Sequence, residues 1–287
     1  MIRLGTRGSA LALAQARWVA ERLGGSEIVP ITTSGDRNDK SRFVKEIEQA
    51  LLAGEVDLAV HSAKDVPARL PVGLSIVGVP ERADPLDALC GASSLDELGD
   101  GAVVGTASVR RRAQLLALRP DLEVRELRGN VDTRLRRLAD GDFEAIVLAR
   151  AGLVRLDRGN EGRPLAELVP APGQGCLALE ARTDDAVAAE AASALTDRAA
   201  VVALTAERAV VTALEATCNT PIGAFAWPVN GGLHLTAFVG LPDGSHWIRD
   251  ELDGDATDPV ALGHEVARRL EAAGARELLA EAEAFAG

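Results

Sequence analysis

Apolar and polar positions follow two different periods along the first half of the chain. Apolar runs of strand length are Val56–Val60, Leu74–Val79, Ala102–Gly105 and Ala145–Leu148. Apolar residues at helical spacing predict helices over Ala10–Leu23, Phe43–Ala53, Arg112–Leu118 and Thr133–Ala139. Because the strands alternate with helices, the pattern predicts a parallel or mixed α/β sheet.

The pattern changes in the last third of the chain. An alanine-rich helical stretch covers about 184–214. Two strands, Ala224–Trp227 and Leu233–Val239, then flank a turn at Asn230-Gly231-Gly232. A last helix is predicted over Pro259–Ala284. This order of elements indicates a smaller α+β domain.

Two proline-containing junctions divide the 287 residues. Pro80–Pro85 is polar, and Pro170–Gly175 is stiff and then flexible. A segment bounded by two such crossings indicates a domain inserted into another, with a hinged cleft between them. The predicted division is domain 1 over 1–82 and 174–194, domain 2 over 83–173 and domain 3 over 195–287.

Cationic side chains recur at strand-to-loop junctions, and α/β sheets bind ligands beyond the carboxyl ends of their strands. The cationic side chains are Arg7, Lys64, Arg110, Arg111, Arg128, Arg134 and Arg155. The whole protein is acidic, with a formal net charge of −12. Arginine binds a carboxylate or phosphate with two parallel hydrogen bonds. Cations gathered at loop junctions of an acidic protein therefore predict a local site for a ligand with many negative charges.

Single motifs leave alternatives open. Gly105–Arg111 is consistent with an anion site at a helix N-terminus, but also with an ordinary capped helix bearing solvated arginines. Lys64-Asp65 is consistent with a solvated ion pair or with a catalytic carboxylate kept ionised by a cation. His61, on an apolar strand, is more typical of a packed histidine than of a base.

The three cysteines do not indicate a disulfide scaffold. Cys218 lies in a polar loop marked by proline and glycine, which allows either an accessible, reactive thiol or a buried loop cysteine. Cys90 and Cys176 lie in apolar surroundings and are expected to be buried. The four histidines show no metal-ligand spacing with the cysteines, so no metal is expected.

Several classes of function are disfavoured. The acidic charge and an aromatic content of 3% argue against nucleic-acid binding. The chain lacks the Gly-x-x-x-x-Gly-Lys phosphate loop, the Gly-x-Gly-x-x-Gly fingerprint and the Gly-x-Ser-x-Gly elbow. No signal peptide or membrane-spanning stretch is evident, so a cytoplasmic protein without a membrane partner is expected.

Taken in order, these segments resemble the hydroxymethylbilane synthase family, also called the porphobilinogen deaminases. The matching pieces are Thr6–Ser9 with Leu11-Ala12, Phe43–Glu46, Val60–Pro67, Gly105–Arg111, Leu127–Thr133, Ala151–Leu153, Pro172–Gly175 and Cys218–Gly223. They span residues 6–223 in the family's order and approximate spacing. No single piece is decisive, but the ordered set is highly specific.

The resemblance implies a three-domain transferase of tetrapyrrole, porphyrin and haem biosynthesis. Its fold is two α/β lobes like those of periplasmic binding proteins, joined by two hinge crossings, plus a smaller α+β C-terminal domain. Four porphobilinogen molecules are joined head to tail into hydroxymethylbilane, and ammonia is released. One dipyrromethane cofactor per chain, made from the enzyme's own substrate, is attached by a thioether to a loop cysteine that matches Cys218. A monomer is expected.

The resemblance also implies roles for individual residues. Asp65 matches the catalytic aspartate, where a fixed carboxylate beside pyrrole N–H groups stabilises developing positive charge, and Arg7 is its expected partner in departure of the amine. The cofactor-binding set is Cys218, Lys64, Asp65, Thr106, Ser108, Arg110, Arg111 and Arg134. The substrate-binding set is Arg7, Ser9, Ser62, Arg128 and Arg155. Each pyrrole carries an acetate and a propionate, which accounts for so many cations.

One segment departs from the family pattern. The stretch Gly35–Phe43 is shorter than usual, and Arg42 replaces a residue that is usually apolar. Family members use this loop to cover the active site, so the behaviour of the lid and any role for Lys40 are left open.

Two other classes of function account for less of the sequence. Two α/β lobes joined by two crossings also occur in solute-binding proteins and in effector domains that close on small anions. That alternative explains the cleft, but it does not explain the Cys218 loop, a third domain or six arginines at one cleft. A purely structural protein would leave the arginines unexplained.

Overall fold

The computed structural model describes residues 1–32, 42–217 and 220–284. The strands within those ranges are β1 (Arg3–Arg7), β2 (Glu27–Ile31), β3 (Leu58–Ser62), β4 (Leu74–Gly78), β5 (Asp87–Cys90), β6 (Val103–Gly105), β7 (Glu123–Arg125), β8 (Ala145–Ala149), β9 (Arg163–Leu165), β10 (Leu177–Arg182), β11 (Ile222–Val229), β12 (Gly232–Gly240) and β13 (Trp247–Gly254). The α-helices are α1 (Ala10–Arg22), α2 (Arg42–Leu52), α3 (Val109–Leu118), α4 (Val131–Ala139), α5 (Arg150–Arg155), α6 (Ala186–Ser193), α7 (Arg198–Ala213), α8 (Pro259–Ala272) and α9 (Ala275–Ala284).

The first lobe is a five-stranded sheet in the order β2-β1-β3-β10-β4. β1 is parallel to β2 and β3, whereas β10 runs antiparallel to both of its neighbours. Leu4, Val19 and Leu58 pack in the core on one face, and Ile47 and Leu51 of α2 pack on the other. Because helices cover both faces, β3 is buried along nearly its whole length and reads as a continuous apolar run.

The second lobe has the same design, with the strand order β7-β6-β8-β5-β9. β6 is parallel to β7 and β8, and β5 is antiparallel to β8 and β9. Leu115 of α3 packs on one face of this sheet. Leu135 of α4 and Leu153 of α5 pack on the other. The carboxyl ends of the parallel strands in both lobes carry the charged loops predicted from the sequence.

The two crossings between the lobes lie side by side. The antiparallel strands β5 and β10 each begin just after a crossing, so the two crossings enter neighbouring sheets at one junction. The Ala83 amide donates to the Gly175 carbonyl across this junction, with an N–O distance of 3.2 Å. Gly175 has a φ of +90°, and a Cβ there would overlap the Ala83 carbonyl oxygen. Glycine is therefore required where the crossings meet.

The third sheet is an antiparallel meander, β11-β12-β13, at the C-terminal end of the described chain. Val210 of α7 and Val266 of α8 pack against Leu235 and Val239 of its inner face, and α9 adds Leu279 to the same core. Phe225 and Phe238 lie apart from that core and pack with Ala113 and Val169 of the second lobe. The three-part α/β architecture predicted from the sequence is confirmed.

Some predicted elements were wrong. The helical stretch predicted over about 184–214 consists of two helices, α6 and α7, and Asp197 caps the second by accepting from the Ala200 amide. The helix predicted over Pro259–Ala284 ends at Gly274, where φ is +99°. Several strands were not predicted, among them β1, β10 and β13. Exposed and half-buried side chains alternate along β13, which lies on an open sheet, so this strand lacks an apolar run.

The close contact between α7 and α8 generates a stability prediction. A Cβ on Gly263 would overlap the Ala206 carbonyl oxygen and crowd the Ala209 Cβ atom at 2.5 Å. We expect Gly263→Ala to lower the free energy of unfolding by about 1–3 kcal/mol through overpacking, measured by chemical denaturation. Gly99→Ala is the control, since a Cβ there has no atom within 4 Å. Equal stability of the two variants would contradict this packing.

Candidate active site

A cleft of about 1330 Å³ opens where both lobes and the third domain meet. Lys64 and Asp65, in the turn after β3, line it from the first lobe. Arg110 and Arg134 line it from the second lobe, and Thr217 lines it from the third domain. The cleft is larger than most small-molecule pockets, which are roughly 300–1,000 Å³. It therefore has room for an extended ligand.

Three helix N-termini face this cleft. Ser9 caps α1 by accepting from the Ala12 amide at 3.3 Å, and Ser108 caps α3 by accepting from the Arg111 amide at 3.5 Å. Asn130 caps α4, and all three capping residues line the cleft. Because the N-terminus of a helix carries partial positive charge, the three ends add to the field of the cationic side chains.

A fully buried carboxylate, that of Asp87, fixes two of the predicted arginines. Arg110 Nη1 lies 2.8 Å from Oδ2, and Arg111 Nη2 lies 2.8 Å from Oδ1. The guanidinium groups also donate to the backbone, from Arg110 to the Val169 carbonyl at 2.7 Å and from Arg111 to the Val147 carbonyl at 2.9 Å. Both arginines lower the pKa of Asp87 against the opposing effect of burial, so the carboxylate is ionised.

Buried side-chain nitrogens without a hydrogen-bond acceptor among the described residues occur in the cleft wall, and Nε of Arg110 and Nε of Arg134 are examples. Burial, followed by the charge of Arg111, lowers the pKa of Arg134 to about 10. A buried donor without an acceptor costs free energy. A ligand carboxylate at this wall would supply both the acceptor and the countercharge.

Lys64 of the first lobe is linked through Gln174 to the Asp87 cluster, which consists of Asp87, Arg110 and Arg111. Its ammonium donates to Oε1 of Gln174 at 3.2 Å. Burial and the charges of Arg111 and Arg110 lower the pKa of Lys64 to about 7, while Asp65 and Asp87 act in the opposite direction. An anionic ligand beside this group would favour the charged ammonium.

The third domain supports the turn that carries Asp65 through residues that sequence reasoning missed. Arg208 of α7 donates to the carbonyls of Pro67 at 2.8 Å and Ala68 at 3.0 Å, just beyond Asp65. Glu207, its neighbour, is fully buried and accepts from Arg82 at 2.6 Å. No motif marks these residues, because Arg82 and the Pro67 and Ala68 carbonyls are more than a hundred positions away from them in the chain.

The structure brings most of the predicted site residues to one cleft. Those that line it are Arg7, Ser9, Lys64, Asp65, Ser108, Arg110, Arg111, Arg128 and Arg134. Three others lie behind the described lining: Ser62 bonds to Gln15, Thr106 accepts from the Ser108 amide, and Arg155 donates to the Gly175 carbonyl at 2.7 Å. Cys218 and the shortened segment 33–41 lie outside the described residues.

Comparison with known proteins identifies the family. The family model described as the porphobilinogen deaminase dipyromethane cofactor binding domain matches residues 2–190. The model for the porphobilinogen deaminase C-terminal domain matches residues 201–272. This chain belongs to the porphobilinogen deaminase family. The family, the transferase class and the dipyrromethane cofactor expected from the sequence are thereby confirmed at the level of the family.

Curated relatives match almost end to end. The porphobilinogen deaminase of Thermus thermophilus is 49% identical, covering 98% of this chain and 99% of its own. That of Deinococcus radiodurans is 46% identical, covering 97% of each chain. Among solved structures, the methionine binding protein MetQ aligns with 66% of this chain and 87% of its own at 18% identity, with a TM-score of 0.44. The fold assignment rests on the topology described above.

The described ranges also contain no helix that is both long and apolar enough to cross a membrane. Within the same ranges, no three His, Cys, Asp or Glu side chains cluster in a way that could hold a metal ion.

The Asp87 cluster generates a prediction for this porphobilinogen deaminase family member. We expect Asp87→Asn to lower the free energy of unfolding by about 3–5 kcal/mol, because it leaves two buried guanidinium groups without a countercharge. The parent should lose stability as the pH falls through the ordinary carboxyl range, since the folded pKa of Asp87 lies below the unfolded one, and the variant should lose less. Chemical denaturation between pH 3 and 7 measures both effects.

Asp142→Asn is the matched control in the same lobe. Asp142 is half exposed and pairs with Arg137 at the surface, where an ion pair contributes little. A loss of stability no greater than that of this control would contradict the structural role given to Asp87.

Proposed function

We propose that this chain is an active porphobilinogen deaminase that joins four porphobilinogen molecules head to tail into hydroxymethylbilane and releases ammonia. The observation that supports this most is the gathering of Asp65 with Arg7, Lys64, Arg128 and Arg134 around one large cleft. Every pyrrole unit brings two carboxylates, so the growing chain is a polycarboxylate that fits such a wall. Near full-length similarity to curated porphobilinogen deaminases adds to the argument.

The residues present fit a dipyrromethane cofactor. The Nε atoms of Arg110 and Arg134 have no acceptor among the described residues, and carboxylates placed against the second lobe would accept from them. The same carboxylates would raise the lowered pKa of Lys64 by favouring its charged form. Lys64, Ser108, Arg110, Arg111 and Arg134 would hold the acid groups, with Thr106 supporting the Ser108 cap. When bound, the dipyrromethane supplies the starting end of the growing chain.

Asp65 is the proposed catalytic residue. Its carboxylate would accept hydrogen bonds from pyrrole N–H groups and stabilise the positive charge that develops as ammonia leaves. It would also hold the proton that passes to the leaving amine. Arg7, with Ser9 at the start of α1, would bind the acids of the incoming substrate and assist departure of the amine, and Arg128 would bind further along the chain. Ser62 and Arg155 would act from behind the cleft wall, through Gln15 and the Gly175 carbonyl.

Cys218 is the proposed attachment point. The other two thiols are poor candidates, because burial raises the pKa of both Cys90 and Cys176 to about 12. The thiolate is the reactive form, so buried thiols of high pKa react slowly. Cys218 lies between Thr217 and Thr220, which border the cleft.

The organisation and setting of the enzyme are part of this proposal. The domain limits are 1–82 with 174–194, 83–173, and 195–287, which keep each sheet within one domain. The enzyme would work as a monomer, since one chain carries every proposed site residue. Its proposed location is the cytoplasm.

The cofactor assignment generates a prediction about mass. Protein produced in a host that makes porphobilinogen should carry a covalent increment of two pyrrole units, located by peptide mapping to the Cys218 peptide. Cys218→Ala should remove the increment because the thioether cannot form. Cys90→Ala is the control and should keep it. An unmodified parent, or the same adduct on Cys90 or Cys176, would contradict the assignment.

The catalytic assignment generates a second prediction. Asp65→Ala should fold and keep its covalent cofactor, but kcat should fall by about 100- to 10,000-fold, the range expected for loss of a general acid–base group. Steady-state assay of hydroxymethylbilane formation measures this. Asp184→Ala, an exposed acid, is the matched control. Turnover of the Asp65 variant at the parent's rate would exclude the proposed role.

A further inference from the structure

The side-chain amide of Gln174 bonds to both lobes at once. It lies in the second crossing and is only 1% exposed. Its Oε1 accepts from Lys64 of the first lobe at 3.2 Å. Its Nε2 donates to Asp87 Oδ1 of the second lobe at 2.9 Å and to the Pro85 carbonyl of the first crossing at 2.7 Å.

The two ends of this amide match partners of opposite polarity. An ammonium requires an acceptor, whereas a carboxylate and a carbonyl require donors. A carboxylate at this position could not donate to Asp87, and a cation could not accept from Lys64. Of the polar side chains of this length, the amide of glutamine meets all three partners.

The backbone of the crossing is held separately from this side chain. Arg82 Nε donates to the backbone carbonyl oxygen of Gln174 at 2.9 Å. The backbone N–H of Gln174 donates to the Ala171 carbonyl at 2.9 Å. Removing the side-chain amide therefore leaves the backbone bonds of the turn in place. What it removes is the direct link between Lys64 and the Asp87 cluster.

We propose that Gln174 is a positioning residue that holds Lys64 of the first lobe in register with Asp87, and through Asp87 with Arg110 and Arg111 of the second lobe. Lys64 on the first lobe repels Arg110 and Arg111 on the second. The countercharge Asp87 pairs directly with the two arginines, and it is linked to Lys64 through Gln174. The amide opposes that repulsion by offering its oxygen to Lys64 and its nitrogen to Asp87. The cleft thus presents its cations at a fixed spacing. The catalytic part of this inference rests on the proposed function.

The test uses two substitutions in the full-length holoenzyme. Gln174→Met preserves side-chain length and removes every hydrogen bond of the amide. Gln174→Glu keeps an acceptor for Lys64 but places a carboxylate against Asp87. Gln114→Met is the matched control, because Gln114 is also buried but its side chain bonds, among the described residues, only to the backbone N–H and carbonyl of Val169 in the second lobe.

Spin labels measure the separation of the lobes. Glu21→Cys in α1 and Ala139→Cys in α4 are exposed positions, one in each lobe. Cys90 and Cys176 are buried, and any label on Cys218 is common to the parent and all variants. We expect Gln174→Met to shift or broaden the distance distribution relative to the parent and Gln114→Met to leave it unchanged. Gln174→Glu should perturb it at least as much as Gln174→Met, since two carboxylates then face each other.

Steady-state kinetics supply the second readout. Misplacement of reacting groups by about 1 Å lowers kcat by up to about 100-fold, so Gln174→Met should lower kcat in that range with a smaller change in KM. A distance distribution that matches the parent in both Gln174 variants would overturn the proposal, as would a changed distribution with unchanged kcat. If the parent itself shows no turnover, the proposed function fails, and the distance measurement alone judges the alignment of the lobes.

Discussion

The Asp87 carboxylate is the interaction on which the cleft depends. A cleft that binds a polycarboxylate needs buried cations, and buried cations are unstable without a countercharge. Asp87 is fully buried at the start of β5, where it forms ion pairs with Arg110 and Arg111 of α3. The two guanidinium groups are therefore oriented before any ligand arrives, which reduces the entropy that binding would otherwise cost.

A second buried carboxylate, that of Glu207, connects the third domain to both crossings. Glu207 accepts from Arg82 of the first crossing, from the Gly173 amide of the second crossing and from the Ala226 amide of β11. One buried side chain of the third domain thus meets both crossings. Because Arg208, the next residue, donates to the Pro67 carbonyl just beyond Asp65, α7 contacts both the crossings and the turn that carries Asp65.

The sequence predicted the parts of the site that depend on local pattern. Lys64 could be placed at a strand end because an apolar run and turn residues mark that end within a few positions, whereas Arg7 ends β1, which the pattern did not predict. Asp87, Gln174 and Glu207 could not be found in that way. Asp87 opens a short apolar strand and Glu207 lies inside an alanine-rich helix, so each resembles an ordinary element. Their importance comes from partners that are distant in sequence. The last helix was misjudged because Gly274, at a positive φ, separates α8 from α9.

The charge of the cleft is smaller than its number of cations suggests. Around the lobe junction, Lys64, Arg110 and Arg111 face the two carboxylates Asp65 and Asp87, so these five groups leave about one unit of positive charge. The depressed pKa of Lys64 reduces it further near neutral pH. Besides the positive charge of Arg7 and Arg134 elsewhere on the cleft wall, attraction for a polyanion at this junction therefore depends on directed hydrogen bonds and helix N-termini. Such donors act over short distances, so a chain that gains two carboxylates with each unit can be held locally without being drawn ever more tightly into the cleft.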